Sequence, residues 1–173
     1  MTNVEANSPQ KIYKNINNSS EQQTAPQYFE LSEDELFIAK VLYSETSTLC
    51  SFEEILAIGN VIQNRVGHPG FGKLRSPIDV VKQRAAFSSV LKHNSNWDRY
   101  SINLNQYTKY DAGVAKILLS SNMKLGGESW MKDIVYYHDK SISKPRGWDN
   151  KYWKAVLVKE TQHFKFYKVV KAR

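Results

Sequence analysis

The sequence is short of cysteine, since Cys50 is its only one among 173 residues. A single thiol cannot form an intramolecular disulfide, and it excludes a zinc site made of several thiolates. No histidine lies near Cys50 in the sequence. We therefore expect this residue to be a small buried side chain without a catalytic role.

Long hydrophobic runs are also missing. No segment reaches the roughly 20 apolar residues that a transmembrane helix requires, so we expect no transmembrane segment. Residues 1–8 contain neither the basic stretch nor the apolar stretch that opens a secretory signal peptide. We therefore expect synthesis in the cytoplasm, with delivery by other means if the target lies outside it.

The motifs of several common chemistries are absent. The four histidines, which are His68, His93, His138 and His163, are scattered without metal-ligand spacing, so we expect neither a metal nor another cofactor. No Gly-x-Ser-x-Gly nucleophile motif occurs. Lysine and arginine are dispersed and no helix-turn-helix or RNA-binding signature is found, so we expect no nucleic-acid partner.

The composition itself describes a basic globular protein. With 41% hydrophobic and 12% aromatic residues, the chain can bury one core, which indicates one domain. Residues 1–28 are polar and lack lasting periodicity, so we expect a flexible N-terminal tail followed by a domain over residues 29–173. The net charge of +7 favours anionic partners.

The stretch over residues 31–45 predicts a helix whose apolar stripe ends in a carboxylate. Ser32 and Glu35 form a capping-box pattern. An apolar stripe at helical spacing then ends in Glu45, and its earlier members are Ile38, Val41 and Leu42. A glutamate on a core-facing stripe either has a buried partner or lies where the core opens into a cleft. Desolvation there favours the protonated acid, which suits a general acid. The alternative is a glutamate at a frayed helix end that points into water.

The later patterns predict an α+β fold that is mainly helical. Ser51 and Glu54 open a second helix packed on several sides, and Gly67 ends it. A short helix begins at Ser76-Pro77, and a long one runs from residue 107 to about 120. Residues 134–138 predict a short strand, and residues 153–159 with 163–169 a terminal antiparallel hairpin.

Six segments together resemble the SleB-type cell-wall hydrolases, the family of spore cortex-lytic enzymes. They are Ala39-Lys40-Val41-Leu42-Tyr43-Ser44-Glu45, Ile62-Gln63-Asn64-Arg65-Val66, Gln83-Arg84-Ala85-Ala86-Phe87-Ser88, Tyr136-Tyr137-His138, Trp148 and His163-Phe164-Lys165-Phe166-Tyr167. They occur in the family's order over residues 33–168. The chain departs from the family after Glu45, where Thr46-Ser47-Thr48-Leu49 replaces Ala-x-Gly-Glu, and at an extra residue before Phe166.

The resemblance implies a lysozyme-like fold, bacterial peptidoglycan as the substrate and Glu45 as the single general acid/base of a lytic transglycosylase. It also implies that Phe87 and Ser88 line the cleft opposite Glu45, that Tyr137 and His138 lie on its floor, and that Trp148 stacks on a sugar. We expect a monomer that acts at the cell wall or periplasm, and a phage lysis system with a holin or a secretion machine would deliver it.

Two alternatives stay open at this point. One is a hydrolytic muramidase in which Asp98 or Asp139 is the second carboxylate. The other is a non-catalytic module that binds cell-wall glycan or nucleic acid on the same scaffold, since a fold does not fix a function. Glu45 in its position on the stripe counts against the second alternative, because a binding module has no need of a carboxylate there.

Overall fold

The computed structural model describes residues 30–46, 49–83, 86–87, 109–120 and 122–172. Within these ranges four α-helices precede a small sheet. The helices are α1 (Glu33–Thr46), α2 (Phe52–Arg65), α3 (Pro77–Lys82) and α4 (Lys109–Leu119), and the strands are β1 (Tyr136–Asp139), β2 (Trp153–Glu160) and β3 (Phe164–Lys171). The α+β prediction is confirmed. The tail predicted for residues 1–28 lies outside the described ranges.

The predicted capping residues start the helices as expected. The Ser32 backbone N–H donates to Glu35 Oε2 at 2.8 Å, and the Glu35 N–H donates back to Ser32 Oγ at 3.3 Å. Ser51 and Glu54 make the same reciprocal pair at the start of α2. These bonds satisfy backbone donors that a helix N-terminus leaves without intrahelical partners.

Helix α2 lies at the centre of the helical layer. Ile58, Val61 and Ile62 are fully buried, in agreement with the prediction of packing on several sides. Gly59 allows a close approach to α4, because a Cβ atom there would lie 2.6 Å from Val114 Cγ1. Gly67 follows the helix with φ of +71°, a conformation that glycine adopts without strain.

The three strands form an antiparallel sheet in the order β1-β3-β2. The β2–β3 hairpin was predicted, and its pairing contains an irregularity between Leu157 and Lys159. Phe164 and Phe166 of the central strand join the hydrophobic core with the helices. In the described part of the chain, every helix is too short or too polar to cross a membrane.

Candidate active site

Glu45 lies in the last turn of α1, where the buried stripe reaches the surface. Ile38, Val41 and Leu42 are fully buried, whereas Glu45 is partly exposed. This is the position that the helical phase predicts for a carboxylate at the opening of the core. The side chain is therefore supported by packed neighbours on the helix and is still accessible to solvent.

Tyr137 holds the Glu45 carboxylate from the sheet. Its hydroxyl donates to Glu45 Oε2 at 2.8 Å. The Tyr137 ring is fixed by edge contact with Phe164, at 5.6 Å between centroids. Burial raises the pKa of the Tyr137 phenol well above its ordinary value, and the neighbouring Glu45 charge raises it further. Tyr137 therefore stays protonated and acts as a donor.

Arg65, the last residue of α2, brings a buried positive charge to the same region. It is only 5% exposed, and its Nε donates to the Val135 carbonyl at 2.8 Å. Its guanidinium carbon lies 4.8 Å from the Phe71 ring centroid, 5.4 Å from that of Phe87 and 5.7 Å from that of Tyr136. These cation–π contacts partly compensate the desolvation of the guanidinium.

The electrostatics connect Arg65 with the candidate acid. Burial lowers the pKa of the Arg65 guanidinium, whereas the nearby Tyr137, Tyr136 and Glu45 act in the opposite direction. A guanidinium stays charged even after such a decrease, because its ordinary pKa is above 12. The Arg65 guanidinium is therefore always charged, and it is close enough to Glu45 for the two groups to interact electrostatically.

Asn64 fixes the chain that leads into β1. Its Nδ2 donates to the carbonyl oxygens of Met131 and Ile134, both at 2.9 Å. Together with the bond from Arg65 to Val135, these contacts attach the end of α2 to the segment just before Tyr137. The Asn-Arg pair thus sets the position of the strand that holds Glu45.

Phe87 packs beside Tyr137 and Arg65. It is 2% exposed, and its ring centroid is 6.4 Å from that of Tyr137. The side chain therefore supports Tyr137 and Arg65 from within the core. Ser88, the other residue expected opposite Glu45, lies outside the described residues.

His138 and Trp148 belong to a second aromatic group. Neighbouring residues of a strand point to opposite faces, so His138 does not share the face of Tyr137. His138 Nε2 lies 2.9 Å from Tyr167 Oη, and Nδ1 lies 2.7 Å from the Asp139 carbonyl. The carbonyl can only accept, which assigns the imidazole proton to Nδ1. The ring centroids of Trp148 and His138 are 5.6 Å apart.

Trp148 also stacks on Tyr136. Their ring centroids are 4.5 Å apart and their planes differ by 12°. Both side chains are partly exposed, and Tyr136 also approaches Arg65. This pair therefore forms an aromatic surface that is connected to the Glu45 region through Arg65.

Asp139, one of the two candidates for a second carboxylate, is hydrogen-bonded within the turn that follows β1. Its Oδ1 accepts hydrogen bonds from the Ser141 N–H at 2.8 Å and the Ser141 hydroxyl at 2.6 Å. These bonds lower the pKa of the exposed Asp139 carboxyl. The other candidate, Asp98, lies outside the described residues.

A second glutamate, Glu54, joins the start of α2 to the β2–β3 turn. It is 1% exposed, and its Oε1 accepts from Thr161 Oγ1 at 2.6 Å and from the His163 N–H at 2.9 Å. Its Oε2 accepts from the Ser51 N–H and lies 3.0 Å from His163 Nδ1. Burial alone would raise the pKa of this carboxyl, but the hydrogen bonds from Thr161, His163 and Ser51 lower it to about 2.

Arg65 and His163 both lie in segments that resemble the family, but the resemblance predicts no role for Arg65. A charged residue that ends a helix buried on several sides was the available signal, because such a residue must find compensating partners. No sequence pattern predicts that Cys50, Glu54 and His163 come together. The histidine is 109 residues from the glutamate along the chain.

The comparison with family models identifies the family of the chain. The family model described as Cell Wall Hydrolase matches residues 51–167, which is more than half of the chain. The match includes Arg65 and Tyr137 and begins after Glu45. No significant match was found among curated proteins or solved structures, so the lysozyme-like description of the fold stays a prediction. The chain belongs to the cell wall hydrolase family and is a peptidoglycan-cleaving enzyme.

Proposed function

We propose that the protein is a peptidoglycan lytic transglycosylase in which Glu45 is the only general acid/base. The contact that carries this proposal is the 2.8 Å hydrogen bond from the Tyr137 hydroxyl to Glu45 Oε2. It places a glutamate from the helical layer against the sheet, partly exposed and held in one orientation. A carboxyl group held in this way can transfer a proton to a glycosidic oxygen with little reorganisation.

The reaction needs two proton transfers through the same group. The Glu45 carboxyl first protonates the oxygen that links N-acetylmuramic acid to N-acetylglucosamine, and the glycosidic bond breaks. The resulting carboxylate then takes the proton of the muramic acid 6-hydroxyl, whose oxygen bonds to the anomeric carbon. The product is a 1,6-anhydro sugar, Glu45 regains its proton, and no water is consumed.

The neighbours of Glu45 suit both halves of this cycle. The hydrogen bond from Tyr137 to Oε2 orients the carboxyl group toward the proposed proton transfers. Arg65 supplies a positive charge that stabilises the carboxylate between the two transfers. The substrate provides the nucleophile, so a second carboxylate is not required. Asp139 is hydrogen-bonded to Ser141, which agrees with a reaction that uses no second carboxylate.

The aromatic pair Tyr136 and Trp148 is the proposed sugar-binding surface. A flat apolar sugar face packs on aromatic rings as other apolar surfaces do. Since peptidoglycan lies outside the cytoplasmic membrane, we propose that the protein acts there. Delivery by a phage lysis system or a secretion machine is part of this proposal.

The test is digestion of purified peptidoglycan by the wild type, Glu45→Gln and the control Glu53→Gln, with the products analysed by mass spectrometry. Glu53 is an exposed glutamate in the first turn of α2 and is matched to Glu45 in chemistry. We expect anhydro-muropeptides from the wild type and the control, and none from Glu45→Gln.

Two results would overturn parts of the proposal. Products heavier by one water molecule, with a reducing end, would identify a hydrolase and require a second carboxylate. Anhydro products from Glu45→Gln at the wild-type rate would remove Glu45 as the acid.

A further inference from the structure

Three possible metal ligands converge at the junction between α2 and the hairpin. One ligand atom each of Cys50, Glu54 and His163 lies within 4.8 Å of the other two. The three residues come from the turn before α2, the first turn of α2 and the β2–β3 turn. Nothing in the proposed glycan-cleaving reaction uses them.

The separation of two of the ligand atoms is close to that of two ligands on a tetrahedrally coordinated zinc ion. Glu54 Oε2 and His163 Nδ1 are 3.0 Å apart, while two ligands at about 2.0 Å from a tetrahedral zinc are roughly 3.3 Å apart. Glu54 is held in place by the capping box and by Thr161. Ion binding would therefore need only small shifts of the two partly exposed residues, Cys50 and His163.

A buried carboxylate lies at the centre of this junction. Glu54 is 1% exposed, and its oxygens accept hydrogen bonds from Thr161 and from the backbone N–H groups of His163 and Ser51. A cation bound beside this carboxylate would be attracted by its negative charge, and the attraction is stronger away from water than at an exposed site.

We propose that Cys50, Glu54 and His163 form a zinc site with a fourth position open to solvent. Mixed sulfur, nitrogen and oxygen ligands suit Zn²⁺. On binding, the Cys50 thiol releases its proton to solvent. His163 Nδ1 gives up the proton that it donates to Glu54, and Nε2 carries the single proton of the neutral ring, so that Nδ1 can bind the metal. The bound ion would connect α2 to the β2–β3 turn independently of the chemistry at Glu45.

The experiment uses the full chain after removal of metals with a chelator. Titration with Co²⁺ as a substitute for zinc is followed by absorption spectroscopy, and Zn²⁺ binding is measured by calorimetry. We expect a thiolate-to-cobalt charge-transfer band and intense visible bands typical of tetrahedral cobalt. Cys50→Ser should abolish the charge-transfer band, and His163→Gln should weaken zinc binding by at least about 10-fold.

His68→Asn is the matched control, because this partly exposed histidine lies after the other end of α2. It should bind zinc as the wild type does. A second measurement needs no substitution. Since Cys50 is the only thiol, zinc should slow its alkylation in the wild type. Absence of the charge-transfer band, equal affinity in His163→Gln, or alkylation that is indifferent to zinc would each overturn the proposal.

Discussion

Two glutamates connect helices to the sheet in this protein, and their surroundings differ. Glu54 is in the first turn of its helix, 1% exposed, with both carboxylate oxygens accepting from the β2–β3 turn or the helix cap. Glu45 is in the last turn of its helix, partly exposed, and accepts from Tyr137 on the outer strand β1. The first is an anion surrounded by donors, and the second faces the open edge of the core.

The difference shows how one residue type can have two roles. Donors around Glu54 and the positive end of the α2 dipole both favour a permanent carboxylate. A group whose charge is so strongly stabilised cannot return to the acid form at neutral pH. Glu45 lies at the helix end where the dipole gives a carboxylate no support, and its side chain is partly exposed. The comparison therefore supports a structural role for Glu54 and the proposed acid/base role for Glu45.

The largest effect is expected for Glu45→Gln. The rate of peptidoglycan cleavage should fall by about 10² to 10⁴-fold, the usual contribution of a general acid/base. The free energy of unfolding should change by less than about 0.5 kcal/mol, because the site is partly exposed. Turbidity loss of a cell-wall suspension and denaturant unfolding measure the two quantities. A large loss of stability would contradict the assignment of Glu45 to chemistry.

Glu54→Gln should give the opposite pattern. The neutral amide leaves some of the donors from Thr161, His163 and Ser51 without a charged acceptor, so the free energy of unfolding should fall by about 3 kcal/mol. The rate per folded molecule at a temperature well below the transition should stay within a few-fold of the wild type. Loss of activity in fully folded protein would break the division between the two glutamates.

Acid should remove the contribution of Glu54. Its pKa is about 2 in the folded protein and 4.5 as the ordinary value. The stabilisation is therefore complete above pH 4.5 and is lost as the pH falls toward 2. Denaturant unfolding at several pH values should show the wild type converging on Glu54→Gln in this window. A constant difference between the two proteins down to the lowest pH would contradict the low pKa.

Tyr137→Phe should have the smallest effect. It removes one hydrogen bond to the Glu45 carboxyl, the proposed acid/base, so we expect kcat to fall by about 10-fold with KM little changed. The control is Tyr152→Phe, since Tyr152 is 62% exposed. If Tyr137→Phe raised KM and left kcat unchanged, Tyr137 would be a substrate contact and not a positioning residue.

Local patterns predicted much of the fold, because the responsible interactions are local. The capping pairs Ser32–Glu35 and Ser51–Glu54 span three residues, and the β2–β3 hairpin forms around a short turn. The phase of Glu45 on its stripe was likewise readable within one helix. These features depend on neighbours that the sequence itself places together.

The hydrogen-bond partners of the two glutamates could not be predicted from local sequence patterns. Tyr137 is 92 residues from Glu45, and His163 is 109 residues from Glu54. Such pairs depend on how the sheet packs on the helices, for which the sequence has no periodic signal. Both Tyr137 and His163 lie in segments that resemble the family, but their contacts with the two carboxylates are properties of the three-dimensional structure.

Helix α2 is attached to the sheet region at both ends, through Glu54 at its start and through Asn64 and Arg65 at its finish. With 14 residues it is about 21 Å long. It is therefore a rigid element fixed at two points. If the Glu54 attachment were released, the bonds from Asn64 and Arg65 would still hold the finish of the helix against residues 131–135, so the start of the helix would move and the segment before Tyr137 would not. A fault at one end of the helix is thus confined to that end, which separates the stability of the fold from the placement of the Tyr137–Glu45 contact.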